Sequence, residues 1–67
     1  MMPLVESLKT PAVGDELLRQ NAAHPGLADD ALVAATMAAL PSGFASVAHA
    51  RDVLKRLVDG GIIVRLR

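Results

Sequence analysis

Residues 46–67 read SVAHARDVLKRLVDGGIIVRLR, and this stretch decides the fold. Val47, Ala50, Val53, Leu54, Leu57 and Val58 recur at the i, i+3, i+4 and i+7 spacing of an amphipathic helix. Ala48, Arg51, Asp52, Lys55, Arg56 and Asp59 fall on the opposite face, and Asp52 and Arg56 form an i, i+4 pair. Ser46 is a candidate N-cap, because its hydroxyl can accept from an amide of the first turn. Gly60 or Gly61 supplies the left-handed residue that ends many helices. After the glycines the pattern changes to a period of two. Ile62, Val64 and Leu66 share one face of a short strand, and Ile63, Arg65 and Arg67 share the other.

Upstream, prolines and glycines divide the chain into two further helices. Thr10-Pro11 is a helix start signal, with a capping hydroxyl followed by proline at the first helical position. That helix is predicted to run to about Ala23, with Val13, Leu17 and Leu18 as its apolar edge. Asp15, Glu16, Arg19 and Gln20 are assigned to solvent, Gly14 weakens the helix, and His24-Pro25-Gly26 ends it. A second helix begins near Ala28, carries Asp29 and Asp30 where the helix dipole favours negative charge, and stops before Pro41. Leu32, Ala35, Met37 and Leu40 mark its core edge, but it is apolar almost all round and is expected in the centre or at an interface. Pro41-Ser42-Gly43 is a turn, and Phe44, the single aromatic residue, is expected to plug the core beneath it. Residues 1–9 form an arm or a short helix, and 10–67 a single domain.

The fold class is therefore mainly α, a three-helix domain with a short C-terminal β-strand. Helix, glycine pair and strand resemble the recognition helix and first wing strand of a winged helix-turn-helix domain. The stretch from His24 to Leu66 is similar in layout to the DNA-binding half of ferric-uptake-type regulators, with Leu54, Leu57, Gly61, Ile62 and Val64 in the shared pattern. The Thr-Val-Tyr-Arg signature of those regulators is missing, its places being held by His49, Ala50, Arg51 and Asp52. The resemblance carries over the superfamily shape and not the specific regulator. It implies a DNA-binding role for the third helix. A single wing strand leaves unpaired backbone groups, so it is expected to pair with Leu4-Val5 or with the same strand of a second chain.

Composition narrows the remaining classes. The chain has 67 residues and 52% hydrophobic residues, a high apolar share for a domain with so small a core, which points to a dimer or a larger complex. It has no cysteine, which removes disulfides and thiolate metal sites and fits a cytoplasmic, reducing setting. The first residues have neither a basic segment nor a long apolar core, so no secretory signal is read there. Residues 31–50 lack Asp, Glu, Lys and Arg, but Pro41-Ser42-Gly43 interrupts them, and no membrane span is expected. The net charge is zero, yet it is segregated: residues 1–40 hold two bases and five acids, residues 41–67 five bases and two acids.

Two functions from different classes follow. One is a small DNA-binding regulator, a homodimer that contacts duplex DNA through Ser46, His49, Arg51, Lys55, Arg56, Arg65 and Arg67. The alternative is an adaptor or small subunit that meets a protein partner through Leu32, Met37, Ile62, Val64 and Leu66. His24 and His49 lack companion ligands at metal-binding spacing, and no nucleophile, phosphate loop or paired carboxylates suggest catalysis. No enzyme activity, metal or cofactor is expected.

Overall fold

The computed structural model describes residues 4–65, with side chains from Thr10 onward. Three helices, α1 (Leu4–Ala23), α2 (Asp29–Ala39) and α3 (Val47–Asp59), each pack against the other two. α1 starts earlier than Thr10-Pro11 predicts. Pro11 lies inside it, so the helix loses the bond that residue 11 would give to the carbonyl of residue 7. Residues 4–10 hold no other breaker, and the helix continues through the proline. Thr10 does not cap it. Its hydroxyl lies 3.4 Å from His49 Nε2 on α3.

The ends of α2 and α3 follow local chemistry. Ala28 caps α2 without a side-chain bond, and Asp29 and Asp30 occupy its first turn. Leu40 is extended (φ −94, ψ 158), the conformation that the following proline imposes. Ser46 Oγ accepts the His49 amide at 3.0 Å, as its sequence position predicts. At the other end of α3 the Gly61 amide donates to the Val58 carbonyl at 3.0 Å, and the Ile62 amide to the Leu57 carbonyl at 2.9 Å. With Gly61 at φ +74 this is the Schellman arrangement, which requires a residue tolerant of the left-handed region.

The core is Val13, Leu17, Leu32, Val33, Ala50, Val53, Leu54 and Ile63, flanked by half-buried residues that include Met37, Phe44, Leu57 and Val58. Gly14 is buried between α1 and α3. Two positions on α1 depart from expectation. Leu18 is exposed, and Glu16 is buried, its carboxylate accepting from the Arg19 guanidinium and from Gln20 Nε2, the latter at 2.7 Å. Beyond Asp29 and Asp30, the outward positions on α2 are Ala31, Ala34, Ala38 and Ala39. Alanine gains little from burial, so this apolar face needs no cover.

The expected C-terminal strand is not formed among the described residues. The Ile62 and Ile63 amides both donate to the Leu57 carbonyl, at 2.9 and 3.2 Å, so they complete the end of α3 and do not serve a ladder. The two-residue alternation itself survives. Ile63 is 2% exposed within the core, while Ile62 and Val64 are 61% and 76% exposed. Leu66 and Arg67 lie outside the described residues.

Candidate functional site

The folding of residues 62–65 back onto the domain creates a buried polar cluster around Arg65. Ile63 enters the core, and Arg65, two residues on, faces the same way. Its side chain is only 6% exposed. Arg65 Nε donates to Asp29 Oδ1 of α2 at 3.1 Å, and the other guanidinium nitrogens donate to Asn21 Oδ1 of α1 and to the Leu27 carbonyl in the connecting loop. A buried guanidinium is tolerated where its donors are matched by acceptors, as they are here. Arg65 therefore fastens the segment after α3 to the corner between α1 and α2. It is not a surface base open to phosphate, which corrects its assignment from the sequence. The signal was present in the alternation: if Ile63 points inward, Arg65 does too.

Beside this corner an open groove of about 410 Å³ runs between α2 and α3. Val33, Leu54 and Val58 line it with apolar surface. Three acids, Asp29, Asp30 and Asp59, and three bases, Arg51, Lys55 and Arg65, surround that surface. Arg51 pairs with Asp30 across the two helices at 3.1 Å, and Arg56 with Asp52 along α3 at 3.1 Å. Lys55 and Asp59 are exposed and make no ion pair among the described residues.

The remaining sequence assignments separate. Arg51, Lys55 and Arg56 share the exposed side of α3. Ser46 lies at its start, with its hydroxyl engaged in the cap, and the half-buried His49 turns toward Thr10 of α1. Leu32 is fully buried, so it cannot serve as an open interface, and Met37 is half-buried against the core. Among the described residues Ile62 and Val64 are the large apolar side chains left most open. They lie between Asp59 and Arg65 in sequence, both of which line the groove. Among the described residues no group of three His, Cys, Asp or Glu is placed to hold a metal ion, and no helix is long and apolar enough to cross a membrane. Comparison with protein-family models, curated proteins and solved structures found no match for the chain.

Proposed function

We propose that this chain is a small protein-binding module, with no chemistry of its own, whose working face is the α2–α3 groove together with Ile62 and Val64. One observation carries the reading: charge on this face is balanced. Arg51, Lys55 and Arg65 are matched in number by Asp29, Asp30 and Asp59. A polyanion gains affinity from an excess of bases, each releasing counterions as it neutralises a phosphate. Here any phosphate brought to Arg51 or Arg56 also meets the aspartate already paired with it. A polar rim beside apolar surface suits a protein contact better than a polyanion. The direct test places a photo-cross-linking residue at Val64 in cells. A covalent protein adduct is expected. A nucleic-acid adduct, or none, defeats the proposal.

A second reading is a duplex-binding regulator on a winged-helix-like three-helix core. It is favoured by one observation: Arg51, Lys55 and Arg56 share the outward side of a helix that follows a turn. Their ion pairs are exposed, and such pairs contribute under about 1 kcal/mol each, so phosphates could replace the aspartates cheaply. This reading predicts a low-salt mobility shift with duplex DNA that disappears when Lys55 and Arg56 are both changed to Glu. Absence of any shift by the unaltered protein sinks it.

A further inference from the structure

The balanced face holds two charges that pair with no other charge among the described residues. Asp29 is engaged by Arg65, Asp30 by Arg51 and Asp52 by Arg56. Lys55 and Asp59 both line the groove, one helical turn apart on α3, with no ion-pair partner among the described residues. Their order, base before acid, is the less favourable direction for an i, i+4 pair on one helix.

We propose that this face is covered by a second copy of the chain, related by a two-fold axis that sets the two α3 helices antiparallel. Lys55 of each copy then faces Asp59 of the other. The inference rests on the reading of the face as a protein contact, and it names the partner. A two-fold contact uses one patch twice, so that patch must complement itself. Three acids and three bases around the groove meet that condition in number, and the base-to-acid order along α3 meets it in direction. An antiparallel pairing joins Lys55 and Asp59 of each copy into two intermolecular pairs, whereas a parallel one sets lysine against lysine. Val58 lines the groove between them.

The test is a charge swap read by light scattering and sedimentation equilibrium over a wide concentration range. The unaltered chain is expected to reach dimer mass. Lys55→Glu and Asp59→Lys each turn both symmetric pairs repulsive, and each alone weakens dimerisation about tenfold or more. Mixing the two variants restores the dimer as a heterodimer, since glutamate at 55 then faces lysine at 59 and Asp59 faces Lys55. Both positions are exposed, and circular dichroism confirms that each variant folds. Monomer mass at every concentration overturns the inference, as does a dimer that neither swap weakens or a mixture that fails to recover. A monomer whose Val64 probe captures a different protein rejects the second copy and leaves the protein-binding reading standing. A nucleic-acid adduct at Val64 rejects that reading itself.

Discussion

Gly14 and Gly61 predict stability changes of opposite sign when each is replaced by alanine. Gly14 sits in α1, where glycine costs about 1 kcal/mol relative to alanine. An added Cβ would meet Leu57 Cδ1 and Val53 Cγ1, both at 3.8 Å, which is ordinary van der Waals contact. The methyl thus fits without displacing α3, and its burial adds at most about 0.8 kcal/mol. Gly14→Ala should therefore stabilise the domain by roughly 1–2 kcal/mol, a rise in Tm of about 5–15 °C for a domain of this size. At Gly61 a Cβ would meet nothing within 4 Å, so crowding does not contribute. The cost there comes from φ +74, which an alanine adopts at about 1–2 kcal/mol. Gly61→Ala should lower stability by that amount. Urea and thermal unfolding followed by far-ultraviolet circular dichroism measure both, with an unchanged m-value as the sign that only stability has moved. A lower Tm for Gly14→Ala would refute the α1–α3 spacing. An unchanged Tm for Gly61→Ala would refute the left-handed end of α3.

Two further substitutions probe the ends of the elements. Arg65→Ala removes the donors that join α1, the loop and α2, and should cost about 1–3 kcal/mol in urea unfolding. Arg65→Lys should recover little of this, since an ammonium cannot reproduce the planar fork that meets three acceptors. Wild-type stability in both would dismiss the clasp. Ser46→Ala should lose about 1 kcal/mol through the unpaired His49 amide, visible as a lower unfolding midpoint, and no loss would mean that the cap contributes nothing.

The helices were legible because their ends carry local chemistry. Ser46, the Asp29-Asp30 pair and Pro41 each act within a turn of their own position, so neighbouring residues suffice to place them. Pro11 misled because proline is favoured at a first helical position without being restricted to it. The backbone can forgo one bond where the flanking residues sustain the helix on both sides. The strand misled for another reason. Alternation at 62–65 correctly separates Ile62 and Val64 from Ile63 and Arg65, but it cannot say what the backbone amides will bind. Two of them are taken by the Leu57 carbonyl. Glu16 reads as a solvent residue and is buried instead; the signal for it is that Arg19 and Gln20 stand at i+3 and i+4, where a helix brings them within reach.

Charge segregation along the chain is the feature whose meaning folding changes most. Acids dominate residues 1–40 and bases residues 41–67, which in an extended chain amounts to a dipole with one basic end. Such a pattern would offer phosphate an unopposed basic face if the two halves stayed apart in space. They do not. The start of α2, where Asp29 and Asp30 suit the helix dipole, lies against α3 and the end of the described chain, and these acids meet Arg51 and Arg65. The same aspartates thus serve twice, first at the helix terminus and then as counter-charges to residues 21 and 36 positions later. Sequence asymmetry becomes internal complementarity, and the surface left over is nearly neutral. Recognition by such a surface depends on the placement of individual charges and on the aliphatic side chains between them. That is why substitutions at Lys55, Asp59, Ile62 and Val64, more than any change in total charge, should decide what this domain binds.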